Sequence, residues 1–189
     1  ARARGDAART TDFRSFDITQ LSGPAATDKG MAMFPRQVNG TYFALSRWDR
    51  ENNTLASSQD MLFWEEAGTL QTPRQAWEMV QVGNCGPPIE TDAGWLVLTH
   101  GVGPMRQYSI GAMLLDLEDP RVVIGRLVRP LISPSADDRD GYVPNVVYSC
   151  GSMRHGNRIV LPYGVDDSTI RIAIVDLDGL LALLLPHGG

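Results

Sequence analysis

A chain of 189 residues, 43% hydrophobic and 21% charged, is long enough for one domain with a real core and too apolar for global disorder. Its formal net charge of -5 and pI near 5.1 argue against a general nucleic-acid or anionic-membrane surface, so any bound anion has to be held by a local cluster. Two cysteines, Cys85 and Cys150, lie far apart; they are too few for a disulfide scaffold or a zinc site and read as buried free thiols in a reducing cytoplasm.

The first stretch, ARARGDAARTTDF, is basic but has no apolar core of a secretory signal. Beyond it, short apolar runs rich in Val, Ile, Tyr and Phe are bounded by Gly, Pro, Asn or Asp, which reads as strands and turns. In chain order the clearest are YFAL, WLVLTH, SIGAMLLDL, PNVVYS, RIVLPY and TIRIAIVDL. TPRQAWEMVQV can hold a helical turn, and LDGLLALLL is ambiguous between helix and strand. GLLALLLP, the one strongly apolar tail, is far shorter than the roughly 20 residues of a membrane span. GNCGPP lacks a GK[ST] ending and is no phosphate-binding P-loop; it reads as a tight backbone approach to a pocket. EDP, Glu118 to Pro120, reads as a turn rather than a catalytic carboxylate pair.

The runs repeat. NGTYFALSRW, AGWLVLTHGV and HGNRIVLPYG align on Gly40, Gly94 and Gly156, and each is followed by a second strand with an acid at its far end: Asp60, Asp116 and Asp176. Spacings of 54 and 62 residues fit one elaborated four-stranded blade per repeat, so the expected fold is all-β, a β-propeller. In that register Arg47, His100 and Tyr163 occupy equivalent strand ends, which predicts a ring of polar groups around a central pocket. Three blades cannot close a ring, for which roughly four to eight are needed. AARTTDFRSFDI reads as the end of a blade already under way, so residues 1–189 are expected to be one partial propeller domain, the C-terminal blades of a larger ring.

Five segments in order, KGMAMFPRQVNGTYFALSR, GNCGPPIETDAGWLVLTHGVG, YSIGAMLLDLEDPRVVIGR, GYVPNVVYSCG and LPYGVDDSTIRIA, resemble glycoside hydrolase family 130, the β-mannoside phosphorylases and related mannosidases. The resemblance implies a five-bladed propeller with a central sugar pocket. It implies phosphorolysis of a terminal β-mannoside by inversion, giving α-mannose 1-phosphate, with manno-oligosaccharide or mannosyl-glucose as substrate; the cytoplasmic placement rests on the free thiols. Inorganic phosphate is the co-substrate, and neither cofactor nor metal is implied. It also implies that the general-acid aspartate lies upstream of this chain. Hydrolytic members use water instead; a fragment without the acid would be an inactive sugar binder, and open blade edges would favour homo-oligomers.

The resemblance assigns a phosphate contact to Lys29 and groups Arg47, His100 and Tyr108 with it as an anion site, although Arg47 could grip a sugar oxygen, His100 could donate to a sugar hydroxyl and Tyr108 could stack on a sugar face. Lys29 is the only lysine of the chain, followed by Gly30 where the family commonly has aspartate, with Asp28 ahead of it. Arg47 follows Ser46 where many members read histidine, and loss of that histidine points toward the hydrolytic alternative. The resemblance assigns Asp167 to mannose hydroxyls, with Asp166 as the alternative; Tyr163 and Glu90 are further candidates for the sugar side.

Overall fold

Every residue of GWLVLTHGV, Gly94–Val102, is buried, and a strand that is apolar on both faces has to be covered on both. That single strand places a layer of structure on either side of itself. The computed structural model describes residues 4–28, 30–135 and 141–185, so Lys29 lies outside the described residues.

Among the described residues the strands in chain order are β1 (Asp6–Arg9), β2 (Asp17–Gln20), β3 (Ala32–Met33), β4 (Tyr42–Ser46) and β5 (Asn53–Ser58). β6 (Glu65–Gln71), β7 (Gln81–Asn84), β8 (Ile89–Thr91), β9 (Gly94–Val102) and β10 (Tyr108–Leu115) follow. The last are β11 (Val123–Arg126), β12 (Val147–Tyr148), β13 (Met153–His155), β14 (Arg158–Val165) and β15 (Thr169–Asp176), then one helix, α1 (Leu177–Leu184). β1 and β2 form a hairpin of their own. Three antiparallel sheets follow: β3-β4-β5-β6; β7-β9-β10-β11 with β8 also on β9; and β12-β14 with β13 and β15 both on β14.

The repeat seen in the sequence is a repeat of pairing. β7 and β8 share one edge of β9 at its two ends, leaving the other edge to β10. β12 and β13 share one edge of β14 in the same way, leaving the other to β15.

Side-chain alternation divides the core into layers between sheets. Trp95, Val97, Met113 and Leu115 face the first sheet, where they meet Leu45, Leu55 and Phe34. Their neighbours Leu96, Leu98, Ile110, Ala112 and Leu114 face the third sheet and α1, meeting Ile159, Leu161, Val165, Leu177 and Leu180. On the far side of the first sheet Ala44 and Ala56 pack against Leu21, Ala25, Ala26 and Trp64. Three sheets stacked face on face in chain order are blades of a β-propeller, as expected.

The two ambiguous segments resolve by local chemistry. Ala76–Glu78 is a 3₁₀ turn closed by a reciprocal cap between Gln75 and Glu78. LDGLLALLL becomes α1 because Asp176 caps the Gly179 N–H and Leu177, Leu180 and Leu184 share one face against the core. The thiols differ from expectation: Cys85 is buried, with burial pushing its thiol up to about 12, but Cys150 is exposed. Cys150 follows the two-residue strand β12, too short to carry it under cover.

Candidate active site

The inner edge of the first two sheets is formed by β3 and β7, and that of the third by β12; all are short. A cavity of about 1120 Å³ opens against them, and Met33, Gln81 and Tyr148 come to its wall from these strands. This corrects one expectation. The strands β4, β9 and β14, whose end residues Arg47, His100 and Tyr163 are expected to ring the pocket, are each second in their sheet. A side chain on a second strand reaches the cavity only where the strand in front leaves a gap.

Gly83 is that gap. It sits on β7 directly across from His100 on β9. A methyl group added at Gly83 would lie 2.5 Å from His100 Cε1 and 2.7 Å from Arg47 Cδ. Arg47, just past the end of β4, is also bounded by Gly30, whose φ of 96° suits glycine and whose added Cβ would stand 3.2 Å from Arg47 Cδ. Two glycines therefore let a guanidinium and an imidazole lie side by side on the cavity wall.

His100 is 1% exposed, and its Nδ1 lies 3.2 Å from the Asn84 carbonyl. Burial, helped by the positive charge of Arg47, pushes its pKa down to about 4, so the ring is neutral at physiological pH. The Tyr108 ring stacks on it at 6.2 Å and the Tyr148 ring tilts against it at 5.0 Å. Both tyrosines line the cavity, and partial burial raises the pKa of Tyr148, which keeps its hydroxyl a donor. Arg47 Nη2 donates to the Arg50 carbonyl at 2.8 Å, while its Nε is buried without a hydrogen-bond partner. Asp28 and Arg50, also on the wall, are ion-paired at 2.6 Å.

Of the residues singled out from the sequence, Arg47, His100 and Tyr108 come together on this wall. Glu90, Tyr163 and Asp167 are not among the residues that line it. Glu90 is on β8, which pairs with the start of β9 while His100 stands near its end, and it binds Arg36 at 2.6 Å. Tyr163 has the parity of Ile159 and Leu161 on β14, so it packs against the core between the second and third sheets. Asp167 is exposed in the β14–β15 turn, and its neighbour Asp166 is buried, accepting from the Val146 N–H at 3.2 Å. Ser46 is also withdrawn: its hydroxyl donates to the Ala25 carbonyl at 2.8 Å. GNCGPP makes the expected close backbone approach through its first residue, Gly83.

Sequence reasoning missed Tyr148, Gln81, Asp28 and Arg50. Aligning the short runs ahead of each repeat glycine, MAMF, VQVGN and VVYS, would have found the inner strands and with them Tyr148.

The inner strands of this propeller frame a cavity with a guanidinium, a neutral imidazole and two tyrosines on its wall, a set of fixed hydrogen-bonding groups for a polar ligand. The sequence profile of glycoside hydrolase family 130, described as β-1,4-mannooligosaccharide phosphorylase, matches residues 7–185, and the chain belongs to that family. It is similar to a 1,2-β-oligomannan phosphorylase of Thermoanaerobacter sp. (strain X514), 37% identical over 152 residues that cover 79% of this chain and 51% of the relative. A β-1,4-mannooligosaccharide phosphorylase of Ruminococcus albus is 31% identical over 192 residues, covering 95% of this chain and 57% of the relative. The solved β-1,2-mannobiose phosphorylase of Listeria innocua, in complex with β-1,2-mannobiose, superposes with a TM-score of 0.85 at 28% identity, covering 96% of this chain and 53% of that one. The chain spans about half the length of the curated relatives it matches.

Proposed function

We propose that this chain forms the phosphate side of the active site of a β-mannoside phosphorylase. The reaction is attack of inorganic phosphate on the anomeric carbon of a terminal β-mannosyl residue, with inversion. One phosphate oxygen forms the new bond to carbon, the glycosidic oxygen leaves with its electron pair, and a carboxylic acid protonates it. The products are α-mannose 1-phosphate and the shortened sugar.

The observation that carries this reading is the convergence of Arg47, His100 and Tyr108 on one wall, with a buried guanidinium N–H that no described residue satisfies. A multiply charged nucleophile in a partly desolvated cavity needs fixed donors of this kind, held before it arrives. Lys29, which lies outside the described residues, is proposed as a further cation of the site on the family resemblance.

The general acid is proposed to come from the part of the relatives' length that this chain does not span: of the two carboxylates on the wall, Asp28 is held by Arg50 and Asp6 is exposed on β1. Substrates are proposed as manno-oligosaccharides or mannosyl-glucose, and β-1,2-linked mannobiose is the first to test because two of the similar proteins are named for that linkage. An exposed free thiol at Cys150 favours a reducing compartment, which supports a cytoplasmic placement.

The test is product analysis with β-1,2- and β-1,4-mannobiose, using a protein extended upstream to the length of the relatives. Mannose 1-phosphate formed only when phosphate is present is the expected result. Free mannose released at the same rate with and without phosphate would overturn it.

A further inference from the structure

The wall holds two unmet hydrogen-bonding groups of opposite kind. Arg47 Nε is a buried donor with no partner. His100 supplies the acceptor, by the following geometry. A carbonyl only accepts, so the 3.2 Å contact with Asn84 makes His100 Nδ1 the protonated nitrogen. A neutral ring protonated at Nδ1 carries a lone pair at Nε2. Among the described residues none donates to it, and it lies on the Gly83 side of the ring, next to Arg47. The Asn84 side chain does not compete for that position, because its Nδ2 donates to the Gly30 carbonyl at 2.6 Å. Because Gly83 has no side chain, the imidazole and the guanidinium fill that space and stand next to each other, and both residues line the cavity.

A ligand that satisfies the pair has to present a negatively charged oxygen and an O–H within one small group. Hydrogen phosphate does so. Sulfate, of similar size and equal charge, carries no proton at neutral pH, so one of its oxygens would face the His100 lone pair without a hydrogen between them. A cationic histidine, with two donors, would hold the two anions alike; a neutral one with a fixed tautomer does not.

We propose that this subsite selects a protonated oxyanion, hydrogen phosphate, over a fully deprotonated one. Arg47 donates to a phosphate oxygen, and His100 Nε2 accepts from the phosphate hydroxyl. The bare oxygens are thereby turned to Arg47 and to the sugar. The proposal rests on reading this wall as the phosphate subsite.

The test is calorimetric titration of the 189-residue chain at neutral pH with inorganic phosphate, arsenate and sulfate, together with ¹⁵N spectra of its histidine rings. Phosphate and arsenate are expected to bind, and sulfate to bind roughly tenfold more weakly or worse, the cost of one unmade bond to a charged group. The His100 ring is expected to show a protonated Nδ1 and a bare Nε2. His100→Phe should erase the preference and His100→Gln, which keeps an acceptor, should restore part of it; if His100→Phe does not fold, the wild-type titrations and ring spectra decide. Equal binding of phosphate and sulfate, or a protonated Nε2, would overturn the proposal while leaving phosphorolysis standing. Binding of neither anion would overturn both.

Discussion

At the scale of single residues the site depends on what is missing at Gly83. Its side-chain space is occupied by His100 and Arg47, and both are hemmed in, His100 by Asn84, Tyr108 and Tyr148 and Arg47 by Gly30. Gly83→Ala therefore displaces the pair rather than being absorbed, at a cost of about 1–3 kcal/mol in stability. In the extended protein it should raise KM for phosphate far more than KM for the mannoside, which steady-state kinetics in each substrate would check. His100 also makes a pH prediction. Its folded pKa is below the ordinary 6.5, so the stability gained by keeping it neutral is fully present above pH 6.5 and is lost as pH falls toward about 4. The span corresponds to roughly 3 kcal/mol. Denaturant unfolding across that window should show a shallower pH slope for His100→Gln than for the wild type.

At the scale of elements, the repeated acid at the end of each second strand has one physical role three times over. Asp60 Oδ1 accepts from the N–H groups of Leu62 and Phe63 at 2.8 and 2.9 Å, Asp116 Oδ1 from Glu118 and Asp119 at 2.9 Å, and Asp176 Oδ1 from Gly179 at 2.8 Å. Each carboxylate turns the chain out of its blade. Replacing any one by Ala should cost about 1 kcal/mol. As the three belong to separate blades, the losses should add in denaturant titrations of the triple variant.

This regularity is why the blades were legible in the sequence. Long strands with a glycine before and an acid after leave a periodic trace: YFAL, WLVLTH and RIVLPY lie within strands, and SIGAMLLDL and TIRIAIVDL run past theirs by two residues and by one. Of the inner strands only β12 showed, within PNVVYS, and its place at the cavity did not. β3 is two residues long and β7 carries the glycine that opens the site, so neither alternation nor length marks them. Arg47 and His100 were found through the repeat register and the family resemblance. Tyr163, taken from the same register, packs into the core because the third blade supplies its cavity aromatic from β12. A strand-end position does not state which way its side chain points.

At the scale of the whole molecule, the second sheet is covered on both faces and the third on one. On the open face of β15, Ile170, Ile172 and Ile174 are 82%, 65% and 56% exposed, opposite Gly164, Pro162 and Val160 of β14, with Met153 beside them. A contiguous apolar sheet face of this kind drives association in a chain studied alone. The 189-residue chain should run as concentration-dependent oligomers in sedimentation velocity, and an Ile170→Thr, Ile172→Thr, Ile174→Thr variant should shift it toward monomer. Unchanged association in that variant would assign the contact to another surface.

The central claim is that this half of the propeller holds the phosphate, and it is tested most directly by phosphate kinetics of Arg47→Gln in the protein extended upstream. Loss of a partly buried charge that grips an anion costs about 2–5 kcal/mol, so KM for phosphate should rise roughly thirtyfold or more while KM for the mannoside changes little. An unchanged KM for phosphate with a raised KM for the mannoside would contradict the account and make this wall part of the sugar site.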